Sequence, residues 1–295
     1  MKLVIDIGSN TIKCLLARVN KQGNIEKLFE HSLESRISAG GGILVENAST
    51  LIANSIEVLI EKAKAYCNNF QSIAVATSAL RDAPNKEDVI ADVLEKTSVA
   101  INVLSGYEEA RLSYLGACSD NAIPNSPTKT YFDLGGGSME IVFGNSFTMK
   151  GAYSLPIGAV SVTKKFCTSE KISKQTRTEI SDFVAKAFAN IPKDKSDILV
   201  GAGGAVVAAR LLNEKINGVI SNKILLSDIE TFVDVLSEMS VSERVKKFFI
   251  AKSRADILVS ALICVGGLMR HLGHSELLHT FNNLRYGVII NEHKK

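Results

Sequence analysis

One pattern occurs twice in this chain. D-I-G-S-N-T from Asp6 and D-L-G-G-G-S from Asp133 each join an apolar run ending in aspartate to a second apolar run through a glycine and small-polar turn. Apolar runs flanking such a turn read as a β-hairpin. Lys2 to Ile7 therefore pairs with Cys14 to Val19, and Thr130 to Leu134 with Glu140 to Phe143. A hairpin repeated in each half predicts two similar α/β domains, and two copies facing each other would form a cleft.

The stretch after each hairpin supports that reading. Glu46 to Cys67 carries apolar residues at helical spacing, Ser72 to Thr77 is a short strand, Asp88 to Thr97 a helix, Ile101 to Leu104 a strand and Glu108 to Ala117 a helix. Strands alternating with helices in this way belong to α/β folds. The clearest loop, Ser119 to Lys129, has two prolines and no periodicity. It sets the expected domains at 1–122 and 123–295, with the last residues free to pack back on the first. A third glycine turn, V-G-A-G-G-A at Val200 to Ala205, follows the apolar Ile198 to Val200 and opens a helix. The segments Asp228 to Leu236, Val241 to Phe249 and Ala255 to Leu272 read as helical.

With 295 residues, each half can bury its own core, and 46% hydrophobic against 22% charged residues excludes disorder. A net charge of +3 is too small to announce nucleic acid or a membrane surface, so an anion site must be local. The five cysteines are scattered and contain no C-x-x-C, which supports neither a disulfide framework nor a zinc ribbon and points to the cytoplasm. Asp6 interrupts the apolar N-terminus, against a signal peptide. Ile257 to Met269 falls short of the roughly 20 apolar residues of a membrane span.

Glycine turns after strands let backbone amides close on an anion, because no Cβ obstructs the approach. Phosphate is the natural guest, although one such loop alone could simply make a tight turn. At Val200 to Ala205 the following helix adds its positive end. Asp6 and Asp133 end apolar strands, where a carboxylate must be paired, protonated or bound to a cation. Mg²⁺, held by one or two carboxylates, waters and substrate phosphates, meets that need; hydrogen bonds from each aspartate's own turn are the alternative. Glu140, after the second turn, is a third candidate ligand or else a surface residue. Arg81 in A-T-S-A-L-R-D-A-P-N stands just past a strand, where its planar fork can grip phosphate. Arg254 in R-A-D is read at the start of a long apolar helix, a place the helix dipole disfavours for a cation. L-S-G-Y-E-E-A-R puts Glu108 and Glu109 in a first helical turn, suited to a general base or merely to helix-start electrostatics. H-L-G-H-S-E-L-L-H (His271 to His279) looks like a metal box, but Gly273 interrupts it at a helix end, and exposure explains its imidazoles better than zinc.

Taken together, D-I-G-S-N-T, the S-A-G-G-G region, A-T-S-A-L-R-D-A-P-N, L-S-G-Y-E-E-A-R, D-L-G-G-G-S-M-E, L-P-I-G-A-V, V-G-A-G-G-A, R-A-D and L-R-Y-G resemble one family. It is the exopolyphosphatase and guanosine pentaphosphate phosphatase family of the actin, sugar kinase and Hsp70 superfamily. The strings span Asp6 to Gly287 in the family's order. The resemblance implies two actin-like (ribonuclease H-like) domains with an interdomain active-site cleft, and Mg²⁺-assisted (or Mn²⁺-assisted) phosphoanhydride hydrolysis. It assigns Glu109 as catalytic base, Arg81 and Arg254 as phosphate clamps, and Asp133 and Glu140 as metal- and water-handling carboxylates, while Asp6 stays a candidate metal ligand from its own place at a strand end. Gly8, Ser9, Asn10, Gly135, Gly136, Gly137, Ser138, Gly203 and Gly204 fall on the phosphate loops.

The implied partner is polyphosphate or a phosphate-rich nucleotide, with no nucleic acid or membrane, and a homodimer is left open. Two positions depart from the pattern: Ser161, where many members carry Arg, and Tyr286, where an acidic residue is common. The sequence stops soon after L-R-Y-G, without the extra helical domains of longer members, so short polyphosphates or a nucleotide tetra- or pentaphosphate are the expected alternatives to a long polymer. The rival readings are an ATP-dependent small-molecule kinase of the same superfamily and a noncatalytic polyphosphate or alarmone sensor.

Overall fold

Sheet order carries the repeat into three dimensions. The computed structural model describes residues 1–40, 43–193 and 196–294; Gly41 and Gly42 of the S-A-G-G-G segment lie outside them. The chain divides into two units, Met1–Asp120 with Asn282–Lys295, and Asn121–Phe281. The first break comes two residues before the one expected from the loop. The C-terminal segment groups with the first unit.

In the first unit, β1 (Lys2–Ile7), β2 (Thr11–Val19) and β3 (Ile25–Glu34) form an antiparallel meander. A small ribbon, β4 (Ser38–Gly40) with β5 (Ile43–Leu44), then leads into α1 (Ala48–Lys64). β6 (Gln71–Ala76) lies parallel to β1, and after α2 (Ser78–Arg81) and α3 (Lys86–Thr97) β7 (Ile101–Val103) lies parallel to β6. The sheet order is thus β3-β2-β1-β6-β7. One core holds Leu3, Ile5, Ile52, Ile56, Leu59 and Val93. The opposite face of the sheet, through Val4, Leu15 and Val75, packs with Leu112 of α4 (Gly106–Cys118) and with Leu284, Val288 and Ile289 near the C-terminus.

In the second unit, β8 (Lys129–Leu134), β9 (Met139–Asn145) and β10 (Thr148–Leu155) form the same antiparallel meander. Two helices follow, α5 (Ala159–Phe166) and α6 (Lys174–Ala187), and then β11 (Ile198–Ala202) lies parallel to β8. Next come α7 (Gly204–Leu212), ending in a π-helical turn at Asn213–Asn217, the short strand β12 (Lys223–Leu225) and α8 (Leu226–Ser237). α9 (Val241–Phe248), α10 (Lys252–Ala255) and α11 (Leu258–Leu272) precede β13 (Glu276–His279), which is parallel to β11 and antiparallel to β12. The order β10-β9-β8-β11-β13-β12 repeats that of the first sheet, with one added edge strand. α12 (Leu284–His293) then closes the first unit.

α11 carries apolar residues around nearly its whole circumference, the mark of a helix enclosed by its own domain. Only Gly267, Arg270 and His271 escape full burial. Among the described residues no helix is long and apolar enough to cross a membrane. All five cysteines are free thiols, and burial pushes Cys14 up to about 11 and Cys264 up to about 12.

Two local expectations change, and two strands are added. β12 and β13 fall outside every element read from the sequence; they are too short for their period to register, and tertiary pairing decides them. R-A-D does not open the long helix, because Arg254 sits in the separate α10 and α11 starts only at Leu258. His274 and His279 are buried at 6% and 2% exposure, so exposure does not explain them. Among the described residues no three His, Cys, Asp or Glu side chains gather as a metal site.

Arg244 is fully buried and donates to three main-chain carbonyls, at Leu236 (3.0 Å), Ala255 (2.8 Å) and Glu170 (2.6 Å). It thereby fixes the end of α10 beside Arg254. Arg244→Met leaves those carbonyls without their cationic donor. The expected cost is roughly 3 kcal/mol, read as a drop of several degrees in Tm.

Candidate functional site

The first unit brings together Arg81 and Glu109. β6 ends at Ala76 and α2 begins at once, which puts Arg81 one helical turn past the strand. Ser105 caps α4 by accepting from the amide of Glu108 (3.2 Å). Of the two glutamates so presented, Glu108 is exposed, whereas Glu109 is only 13% exposed and accepts from Arg81 Nη1 at 2.8 Å. The same nitrogen donates to the carbonyl of Leu104 (3.2 Å), tying the guanidinium to the segment before α4. A clamp and a base expected separately are therefore one ion pair. Each partner holds the other in place.

The hairpin turn lies in the same unit. The amide of Gly8 donates to the carbonyl of Thr11 (3.1 Å), and the carbonyl of Asn10 accepts from the amides of Ser35 and Arg36 (3.0 and 3.1 Å). Ser9 Oγ is 3.5 Å from Ser78 Oγ of α2, linking this turn to the Arg81 segment. Directly across the hairpin from Asp6 stands Lys13. Residues so paired have Cβ atoms about 5 Å apart on one face of the sheet, so a cation of the protein already neighbours Asp6. Sequence reading overlooked Lys13; period-2 alternation across the D-I-G-S-N-T-I-K turn was the signal that could have found it.

The second unit repeats the turn with different chemistry. Gly135 donates to the carbonyl of Ser138 (2.9 Å), matching the closure at Gly8. The carbonyls of Gly135 and Gly136 are taken up by the first amides of α5: Ala159 on Gly135, and Val160 and Ser161 on Gly136. In a trans peptide the N–H points opposite to the C=O. The amides of Gly136 and Gly137 therefore point away from α5, both residues being partly accessible. Successive amides presented in this manner form an anion-binding concavity. Close contact maintains it, since a Cβ on Gly158 would stand 2.3 Å from the carbonyl oxygen of Gly136.

Across the second hairpin, Asp133 faces Glu140. Two like charges directly opposite repel unless a proton or a cation intervenes. Glu140 is 3% exposed and accepts from Ser154 Oγ (3.1 Å), which removes the surface alternative, and Tyr131 hydroxyl reaches Asp133 Oδ2 at 3.4 Å. Two facing carboxylates beside an anion cradle fit a hard divalent cation with water and phosphate as its other ligands. Asp6, opposite Lys13, fits that role less well.

The third glycine turn adjoins Asp133. A Cβ on Gly203, which has φ +93°, would meet Asp133 Oδ1 at 2.7 Å. Glycine is required there both for its conformation and for the close approach. A Cβ on Gly204 would stand 3.6 Å from Cζ of Arg254, so that guanidinium covers the start of α7. Asp133, Gly203, Gly204 and Arg254 thus form one cluster. Ser161, where an arginine is common in the resembling family, is occupied in capping: its Oγ accepts from the amide of Gly158 (2.9 Å) and donates to its carbonyl (3.1 Å). Tyr286 is packed into the core beside α4, where burial pushes its phenol above the ordinary range.

Comparison with known proteins bears on the family and the fold. The chain is 27% identical to a bifunctional 3-dehydroquinate synthase/phosphatase of Fusobacterium nucleatum over 98% of its own length, spanning 46% of that protein. It is 24% identical to a putative exopolyphosphatase of Haemophilus influenzae, covering 97% of this chain and 89% of the relative. Exopolyphosphatase 1 of Mycobacterium tuberculosis is also 24% identical, with 91% and 81% covered. Among solved structures, an Aquifex aeolicus Ppx/GppA family member superposes with TM-score 0.85 at 23% identity over 99% of this chain and 97% of its own. An exopolyphosphatase of Cytophaga hutchinsonii gives 0.88 at 19% identity over 98% and 96%. These structures establish the two-domain actin-like fold. With the profile of the Ppx/GppA phosphatase family matched by residues 19–295, the chain belongs to that family.

Proposed function

We propose that this protein is an exopolyphosphatase-type phosphohydrolase that releases terminal phosphate from inorganic polyphosphate and from guanosine pentaphosphate by direct attack of water. The observation that carries the reading is the Arg81–Glu109 pair, a carboxylate fixed at 2.8 Å at the start of α4 and still partly accessible. Relatives that bear exopolyphosphatase names supply the substrate class. Its five free thiols suit the reducing cytoplasm, where we place it.

Glu109 orients a water and takes its proton as the oxygen bonds to the terminal phosphorus. The phosphoanhydride P–O bond breaks, and its electron pair leaves on the oxygen of the shortened chain. The amides of Gly136 and Gly137, with Gly8, Ser9, Asn10, Gly203 and Gly204, cradle phosphate oxygens. Arg254 offsets their charge, and Arg81 positions Glu109 and adds its positive charge beside the phosphate. Asp133 and Glu140 would hold Mg²⁺ or Mn²⁺, which when bound neutralises phosphate oxygen charge. In phosphoryl transfer, positioning and electrostatics provide most of the rate.

The test is phosphate release from polyphosphates of graded length, guanosine pentaphosphate and ATP. Hydrolysis is expected with Mg²⁺ or Mn²⁺, lost with EDTA and restored by either metal. Transfer of phosphate to an added acceptor instead of water would move the protein to the kinases. Binding without turnover under every condition would make it a sensor.

A further inference from the structure

Three helices of the second unit enclose a recess of about 300 Å³ that shares no residue with the phosphate cluster. α6 and α8 form its walls, and α11, packed against both, forms its floor. Ligand pockets recur in such places between helices. Ile229, Val233, Leu262, Ile263 and the bare backbone of Gly266 make the bottom apolar. At the rim Arg177 pairs with Asp234, and Arg270 with Glu230 at 2.8 Å, so each carboxylate lining the recess is matched by an arginine. Lys174 is the cation left over, with no ion-pair partner among the described residues.

Two features run against local helix rules. A helix start favours carboxylates and disfavours cations, yet the first turn of α6 has no acidic residue and begins with Lys174. An interior glycine weakens a helix relative to alanine, yet α11 holds Gly266 and Gly267 in succession. Packing demands Gly267, since a Cβ there would stand 2.8 Å from Cγ1 of Val184. Packing does not demand Gly266, whose Cβ would meet Ile229 Cγ2 at 3.4 Å and Arg270 Nη1 at 3.6 Å, ordinary contact distances. What glycine keeps at 266 is open floor. On the wall opposite, Nε of Arg177 is buried and meets no acceptor among the described residues, a donor that the fold itself leaves unsatisfied.

We infer that this recess is a binding site for a small amphipathic monoanion, a carboxylate on an aliphatic body, separate from the phosphate site. The body lies on the α11 floor and removes from water the apolar surface that Gly266 leaves open. The carboxylate meets Lys174 and the positive start of α6, where the rim's three cations, Lys174, Arg177 and Arg270, outnumber its two carboxylates, Glu230 and Asp234. Inorganic phosphate would satisfy the charge and leave the floor uncovered. From Lys174 to Ser181 the wall of α6 runs about 10 Å at a rise of about 1.5 Å per residue, a length that suits an extended medium-chain acid.

Isothermal titration calorimetry of the whole protein tests this with octanoate as the probe, and with octylammonium and 1-octanol as controls of equal chain length. Octanoate should bind one to one, with both controls weaker by about tenfold or more. Lys174→Glu, a change at an exposed position, should weaken octanoate by about tenfold or more. Gly266→Ala should weaken it severalfold without lowering Tm, a combination that a packing role for the glycine would not give. No binding of octanoate to the unmodified protein, either control binding as tightly, or an unchanged affinity in either variant would overturn the inference.

Discussion

Glu109→Gln is expected to lower phosphate release by about 10²- to 10⁴-fold, the range lost when a general base is removed, with polyphosphate binding retained. The substitution is nearly isosteric, and the amide oxygen can still accept from Arg81 Nη1, which the carboxylate now engages at 2.8 Å. Geometry is kept and basicity is lost. Single-turnover phosphate release, set beside an equilibrium binding measurement, separates the two effects. If Glu109→Gln turns over at the full rate, the base lies elsewhere; if binding fails along with turnover, Glu109 serves the phosphate chain rather than the water.

Gly287→Ala is expected to be the most damaging small substitution in the molecule. A Cβ there would stand 1.7 Å from the carbonyl oxygen of Leu112, and one on Gly116 would stand 2.1 Å from that of Asn283. α4 and α12 thus touch backbone to backbone at two places, where no flexible side chain can yield. Overpacking of this sort costs typically about 1–3 kcal/mol, and the rigid partner argues for the upper end. Thermal unfolding should show a fall of several degrees in Tm. Activity should fall further than the folded fraction does, because α4 carries Glu109. Gly151→Ala is the control: its nearest neighbour would be a side-chain atom at 3.8 Å, and little change is expected. A Gly287→Ala protein as stable and active as the original would show that the two helices can separate at no cost.

The repeated Asp-and-glycine hairpins were legible because their signals are local: an apolar run, a turn and a second run. Helices with strong periodicity, such as Ala48–Lys64, were equally plain. β13 was not, since four residues carry too little period and its pairing partner lies far away in sequence at Val200 and Gly201. The candidate site divides along the same line. Single residues such as Glu109 and Arg81 could be named from their motifs, but their ion pair joins positions 28 apart and needed the fold. The difference between Asp6 opposite Lys13 and Asp133 opposite Glu140 stood in the register of two hairpins that otherwise look alike. Motif strings record which residues are present and omit which face one another.

Because Asn282–Lys295 belongs with Met1–Asp120, the second unit is in effect an insertion within the first. On the ribosome the chain emerges N-terminus first, so the sheet of the first unit waits for its final helix while the whole inserted unit is made. Until then Val4, Leu15 and Leu112 lack the cover of Leu284, Val288 and Ile289, and nascent protein exposes that apolar face to chaperones and proteases. The helix bearing Glu109 acquires its backing only after the inserted unit has been made. A chain cut before Leu284 therefore lacks the packing that supports that helix.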